Sequence, residues 1–429
     1  MRSDPGPGPL RIALTSYRSK AHCGGQGVYV RELSRALTHL GHRVEVFSGQ
    51  PYPELDDGVR LTRVPSLDLY AELDPFRTPK LSEFRDFTDV LEFATMCTAG
   101  FPEPRAFSRR VARILRQRRG DFDVVHDNQS LGSALLGVKS VGLPLVGTIH
   151  HPISIDRSID LADAPWRRQL GLRRWYGFVR MQARVARRLD HLITPSATSA
   201  ADAIRDFRLT PGQMHVVPIG VDAELFRPRG ARVPGRIVTV CSADVAIKGL
   251  SVLLRALAAL PVDQPAHLMV VSRPAAGGDI EKLVADLGLA HRVTFVSGLD
   301  DTTLAELMAS AEIASVPSLY EGFSLPAVEA MASGTALVAS DTGALPEVVG
   351  RDGESGLLVA PGDAPVLSRA IARLLDDVNL RTRLGVAGRA RALERFSWRA
   401  TAEATVDVYR QAISDRAHGA EASTVEVPC

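Results

Sequence analysis

Glu321 and Glu329 stand eight positions apart in SLYEGFSLPAVEAMASG, residues 318–334, with a Gly-Phe-Ser-Leu-Pro turn between them. The preceding IASVPS reads as a strand, and the run from about Pro326 to Ser333 reads as a helix. The turn EGFS therefore lies at a strand's carboxyl end. Backbone N–H groups at such a helix start, helped by the helix dipole, make an anion site that suits a diphosphate. Glu321 falls in the turn and Glu329 about one turn into the helix, so both can address one ligand from different distances. A carboxylate accepting from ribose hydroxyls is familiar in nucleotide sites, and a second can hold a sugar hydroxyl. Taken singly, Glu329 reads equally as a helix charge and Glu321 as a turn residue. The composite pattern is what argues for a site.

The elements around this stretch alternate in a regular way. RIALTSY is a short apolar run that reads as a buried strand, followed by a glycine loop, GGQG, with Gly24, Gly25 and Gly27. From about Val28 the residues Val30, Leu33, Leu37 and Leu40 recur at helix spacing, and VEVF begins a second strand. Strand, loop, helix and strand form a βαβ unit and imply a parallel sheet. The glycines let a backbone approach a ligand closely, or simply make a tight turn. The loop is not G-x-G-x-x-G, so a nicotinamide fingerprint is absent. Further strands are expected at FDVVHD, LPLVGTIHH and HLITPS, whereas residues 51–104 are irregular and Pro-punctuated.

Residues 216–236, rich in Pro, Gly and Arg, read as a linker. Beyond them the alternation restarts with RIVTVCSA, HLMVVSR, VTFVSG, IASVPS, ALVAS and GLLV as strands. The expected fold is α/β: two doubly wound Rossmann-like domains facing across a cleft, residues 1–222 and 223–397. A C-terminal helix at about 398–415 packs back on the first domain, and 416–429 form a flexible tail. Ligands in such sheets sit at the carboxyl ends of the strands.

Composition narrows the class. A chain of 429 residues exceeds one ordinary core. Its 45% hydrophobic and 23% charged content is that of a globular protein. A formal net charge of +2 argues against bulk nucleic-acid binding. The opening MRSDPGPGPL has no apolar core like that of a signal peptide, and no run reaches membrane-spanning length. Cys23, Cys97, Cys241 and Cys429 are scattered, which predicts free thiols in a reducing cytosol and no cysteine metal site. His150 and His151 in GTIHHP end a strand of the first domain, with no carboxylate or cysteine at metal-ligand spacing; a structural pair or a functional one remains open. Residues 166–188 interleave arginines with Trp166, Trp175, Tyr176 and Phe178. They read as a scaffold helix with a solvated arginine face, or as a peripheral contact with an anionic membrane surface.

EGFSLPAVEAMASG resembles the E-x7-E signature of retaining glycosyltransferases of the double-Rossmann (GT-B) class, and most closely family 4. The resemblance extends through GGQGVYVRELSRALTHLGHRVEVFS, VVPIGVDAELFRP, SDTGALPEVVGRDGESGLLVAPGD and RALERFSW. It implies a donor-ribose contact at Glu329, a donor-sugar contact at Glu321, and backbone amides of Phe323, Ser324 and Leu325 approaching sugar and phosphates. It also implies Lys248, in AIKGL, against the diphosphate, and His150, in a T-x-H-like motif, against the donor sugar. One departure stands out: VCSADVAIKG lacks the arginine this family places before the lysine, and Arg273 is a candidate to replace it.

The resemblance implies a cytoplasmic, metal- and cofactor-independent enzyme that moves a hexosyl group, with retention, from a UDP- or GDP-linked sugar to a sugar, glycan or lipid hydroxyl. The acceptor is expected near residues 51–104 and the loop of His126, Asp127 and Asn128. Other readings of the same build are a nucleotide-sugar epimerase, a dinucleotide-dependent oxidoreductase and a non-catalytic nucleotide-sugar sensor.

Overall fold

The computed structural model describes residues 8–19, 25–71, 74–261 and 263–425. The chain divides into two compact units. The first comprises Met1–Pro195, Ala200–Val217 and Arg399–Cys429, and the second Ser196–Ser199 and Pro218–Trp398.

The first unit contains β1 (Arg11–Ser16), β2 (Arg43–Ser48), β3 (Arg60–Arg63), a small hairpin of β4 (Tyr70–Ala71) and β5 (Asp74–Pro75), β6 (Val124–Asn128), β7 (Leu145–Thr148), β8 (His191–Thr194) and β9 (Met214–Val216). Apart from the hairpin these strands form one sheet in the order β3-β2-β1-β6-β7-β8-β9. All its pairings are parallel. β6 and β7 are buried at every residue, which explains why they read as runs without hydrophobic alternation. Phe107, Leu115, Val125, Val185 and Phe207 belong to the core that covers the sheet.

The second unit contains β10 (Val233–Val240), β11 (His267–Val271), β12 (Val293–Val296), β13 (Ala311–Val316), β14 (Ala336–Ser340) and β15 (Leu357–Val359), in the order β12-β11-β10-β13-β14-β15. These pairings are also all parallel. Ile237, Leu254, Val270, Ile313, Val338 and Ile371 are among its core residues. Each sheet reverses its direction of growth once, between β1 and β6 in the first unit and between β10 and β13 in the second. Such a reversal opens a crevice at the strands' carboxyl ends.

Three segments differ from the sequence expectation. The linker is shorter than 216–236, because Val216 ends β9 and β10 begins at Val233. The start of β10 is exposed and irregular in register. There Gly235, at φ +70°, sits so close to Pro265 O that a Cβ would lie 2.1 Å from it. Pro and Gly at a bulged strand start look like loop in a sequence. Residues 166–188 hold two helices, Trp166–Trp175 and Gly177–Ala186, not one. The last helix runs Trp398–Val425, through most of the stretch expected to be a tail.

Candidate active site

In the second unit, Lys248 follows β10 and Glu321 follows β13, the two strands that flank the reversal. Lys248 closes the short 3-10 turn Ala246–Lys248, which ends at Gly249 with φ +68°. A Cβ on Gly249 would stand 1.9 Å from Pro317 O, so only glycine lets the two loops close on each other. Leu319 N donates to Ile247 O at 2.7 Å and locks them. Lys248 Nζ then reaches both carboxylate oxygens of Glu321, at 2.9 and 3.1 Å, and Ser318 Oγ donates to Glu321 Oε1 at 2.7 Å. From the far side Ala344 N donates to Glu321 O at 2.9 Å. Gly343, at φ +54°, makes this fit possible, because its Cβ would meet that same oxygen at 2.3 Å.

The turn after Glu321 is shaped by its backbone. Gly322 O accepts from Ser196 Oγ at 2.7 Å and Ser199 Oγ at 3.0 Å, both grouped with this unit. In a trans peptide the following N–H, that of Phe323, points the opposite way. The Phe323 side chain is buried, edge-on to Phe396 with ring centroids 5.6 Å apart, so its amide and not its ring faces the turn's open side. Ser324 caps the helix Leu325–Ala332 at φ +91° and ψ +85°, a strained backbone for a residue with a Cβ. Its Oγ is buried and has no hydrogen-bond partner among the described residues. No acidic residue occupies the first turn of this helix, so its unsatisfied amides are left to an anion. Glu329, one turn further, is half-buried; burial raises its carboxyl to about 7, with Asp301 adding to the effect. Nearby, burial lifts the Cys241 thiol to about 11, although Lys248 pulls it down.

Arg273, the candidate for the arginine absent before Lys248, follows β11. Ser272 Oγ accepts from Ala243 N at 3.0 Å and Asp244 Oδ2 accepts from Ala275 N at 2.8 Å, so the loops after β10 and β11 are laced together. Arg273 lies between those two contacts and is exposed.

In the first unit, His150 follows β7. Its N–H donates to Gln129 Oε1 at 2.8 Å, and its ring Nε2 donates to Asn128 Oδ1 at 2.7 Å. Tyr29 stands edge-on to the ring, 4.7 Å between centroids. Burial, with help from His151 and His126, lowers the pKa of His150 to about 3, so it is neutral at pH 7. His151 instead meets Asp156 Oδ2 at 2.8 Å. Among the described residues no group of three or more His, Cys, Asp or Glu is placed to hold a metal ion.

The expectation that His126 and Asp127 touch an acceptor needs correction. Both are fully buried. His126 is held between Tyr409 Oη at 2.6 Å and Thr148 Oγ1 at 2.5 Å, and burial drives its pKa to about 3. Asp127 accepts from Thr15 Oγ1 at 3.1 Å and Leu131 N at 2.6 Å, with its pKa lifted to about 6 by burial. Their side chains serve the sheet. Asn128 is equally buried and acts by orienting His150. Gly25 is the first residue of the helix Gly25–His39, and Gly24 lies outside the described residues. Sequence reading missed Tyr29, Gln129, Ser318 and Gly343. Only Gly343 carried a signal, in the stretch SDTGALPE.

Two doubly wound parallel sheets, with a lysine and two glutamates after the strands that flank the second sheet's reversal, are the build of a GT-B glycosyltransferase, an enzyme acting on a nucleotide sugar. The chain belongs to glycosyltransferase family 4. The model described as "Glycosyltransferase Family 4" matches residues 23–225, and "Glycosyl transferases group 1" matches residues 222–391. An MMP α-(1→4)-mannosyltransferase of Mycolicibacterium hassiacum is 59% identical over 406 residues, 94% of this chain and 99% of that protein. A D-inositol 3-phosphate glycosyltransferase 2 of Catenulispora acidiphila is 32% identical, over 95% of this chain and 96% of its own. Among solved structures, a sucrose-phosphate synthase from Thermosynechococcus elongatus matches with a TM-score of 0.72 at 26% identity, covering 95% of this chain and 100% of that one. No helix among the described residues is long and apolar enough to cross a membrane.

Proposed function

We propose that this chain transfers a mannosyl group from a UDP- or GDP-linked donor to a sugar hydroxyl, forming an α-(1→4) bond with retention and without a metal. The observation that carries the reading is the Lys248–Glu321 pair beside a helix start whose cap, Ser324, keeps a buried hydroxyl unpartnered. The choice of sugar and linkage leans on the mannosyltransferase relative, which aligns across nearly the full length of both chains.

In this reading the diphosphate lies on the amides of Phe323, Ser324 and Leu325. Lys248 turns from Glu321 to meet the charge that develops as the C1–O bond to phosphate breaks. Glu321, relieved of the lysine, accepts from a donor-sugar hydroxyl. Glu329 accepts from the ribose. Arg273 supplies the guanidinium missing before Lys248. The acceptor oxygen bonds to C1 on the face the phosphate leaves, and its proton passes to the departing phosphate oxygen. His150, neutral and fixed by Asn128, contacts the donor sugar. Lysine, arginine and amides together take the charge that a divalent cation would otherwise balance.

A thermal-shift panel of GDP-mannose, UDP-glucose and other nucleotide sugars tests the donor assignment. One donor should raise the melting temperature selectively, and Glu329→Ala should abolish that shift while the protein stays folded. Anomeric analysis of the product by NMR tests retention. A β-linked product from an α-linked donor overturns that part of the reading.

A further inference from the structure

The first unit carries a cluster of aromatic rings that the donor chemistry does not use. Tyr17 directly follows β1. Tyr70 opens β4 and Phe76 directly follows β5, Phe101 precedes the helix Glu103–Gln117, and Trp175 ends the helix Trp166–Trp175. Four separate stretches thus meet. Ring centroids lie 5.1 Å apart for Phe101–Trp175, 5.4 Å for Tyr70–Phe101 and Tyr70–Phe76, 5.6 Å for Tyr70–Trp175 and 6.4 Å for Tyr17–Phe101.

An ordinary satellite core would hide such rings. Here Tyr17, Tyr70, Phe101 and Trp175 are only half-buried. Phe76 is 60% exposed. It is also held at φ +66°, a conformation L residues resist, by its N–H bond of 2.7 Å to Leu69 O. A strained backbone that presents an apolar ring to water gains nothing in the free protein, and such strain gathers where a ligand is bound.

The position of the cluster says which ligand. Ser16, Asn128 and Thr148 pair across β1, β6 and β7 in one row. Tyr17 follows Ser16 at one end of that row, and His150 lies two residues past Thr148 at the other. Two strand spacings, about 10 Å, separate them, a span comparable with a disaccharide. The rings therefore begin where the second or third sugar of a chain would lie if its terminal residue reacted beside His150. Aromatic rings with tyrosine hydroxyls at their edges match pyranoses, which offer apolar C–H faces and polar rims.

We propose that Tyr17, Tyr70, Phe76, Phe101 and Trp175 form a platform that stacks on the inner sugars of an oligosaccharide acceptor, one or more residues behind the reacting end. The proposal rests on the reading above that the acceptor is a sugar. It makes the enzyme one that extends chains rather than one that glycosylates single sugars, and the aromatic platform sets that preference.

The test is binding without reaction. Mannose and α-(1→4)-linked mannobiose and mannotetraose are titrated, with no donor present, into a Trp166→Phe background, and the change in fluorescence is followed; of the two tryptophans left, Trp398 is buried in the second unit and only Trp175 belongs to the cluster. The tetraose is expected to bind at least about tenfold tighter than mannose, the size of one or two aromatic contacts. Phe76→Ala, whose side chain is exposed and dispensable for the core, and Tyr70→Ala should each erase most of that length dependence while leaving mannose binding unchanged. A tetraose no tighter than mannose, or a length dependence that survives both substitutions, overturns the platform. The donor thermal shift, run on the same variants, reports separately: its loss in the parent protein would sink the function proposed above, whereas its retention beside failed oligosaccharide discrimination sinks the platform alone.

Discussion

Lys248 Nζ is shared between the two carboxylate oxygens of Glu321, at 2.9 and 3.1 Å, across the point where the second sheet reverses its growth. Cation and anion are thus held against each other, and in the proposed reading a donor's phosphate takes the one and its hydroxyls the other. Neither side chain needs to cross the fold to exchange partners. The rigid part is the pair of loops beneath, closed by Gly249 and Gly343.

Lys248→Ala should lower kcat by roughly 10²–10³-fold, the usual cost of removing one donor aimed at developing charge. Steady-state kinetics with the cognate donor checks this. Lys248→Arg should recover part of the rate, because a guanidinium keeps the charge while changing its shape.

Glu329 links donor binding to pH. Its carboxyl titrates at about 7 in the folded protein, above its ordinary 4.5. The ionised form accepts from hydroxyls, so donor affinity should rise between pH 6 and 8, and Glu329→Gln should flatten the profile. The sign for stability is opposite. Below about 4.5 the residue is protonated in both states and costs nothing, and as pH rises through 7 the folded state must bury a charge. Glu329→Gln should therefore raise the melting temperature more at pH 8 than at pH 5.

Ser324→Gly separates strain from function. Glycine accepts the backbone at φ +91° without penalty, which should stabilise the protein by about 1 kcal/mol after its own entropy cost. The same change removes the unpartnered Oγ and should weaken donor binding. Chemical denaturation and donor titration, read together, check that the two effects have opposite signs.

Arg273→Ala should leave the melting temperature unchanged, since the side chain is exposed, and raise the KM for donor by about tenfold, the loss of one charge-assisted contact. An unchanged KM would remove Arg273 from the diphosphate site.

Tyr409→Phe takes the 2.6 Å partner from His126 inside the first unit. A buried ring nitrogen left unpaired costs about 1–3 kcal/mol. The loss should appear in denaturant unfolding, whereas the donor thermal shift, which in the proposed reading rests mainly on Lys248, Glu329 and the Ser324 turn of the second unit, should keep most of its size.

Much of this was readable in the sequence. Every strand expected from an apolar run is present, because a parallel sheet covered on both faces favours continuous apolar runs, as in the IAL of RIALTS and in ALVAS. β3 and β9 carry no such run because they are short edge strands, β3 flanked by arginines and β9 only Met-His-Val, with no buried residue in either. The EGFS turn was legible through its glycine, its flanking strand and the helix after it. Three features were not. The left-handed backbone of Ser324 is imposed by packing, and nothing in a serine announces it. Histidine beside aspartate in VVHDN reads as chemistry, yet His126 is held by Thr148 and by Tyr409, 283 positions away along the chain. The aromatic platform draws its rings from several distant stretches, so no local pattern marks it.

The first unit is discontinuous along the chain, since Arg399–Cys429 belongs with the residues up to Pro195 and the second unit lies between. During synthesis its buried His126 waits for Tyr409 until the whole second unit has been made. The second unit, complete once Trp398 has emerged, can fold while the earlier one is still missing its last helix. Premature termination just before that helix would thus leave a nascent chain with a finished second half and an unfinished first half exposed to chaperones and proteases.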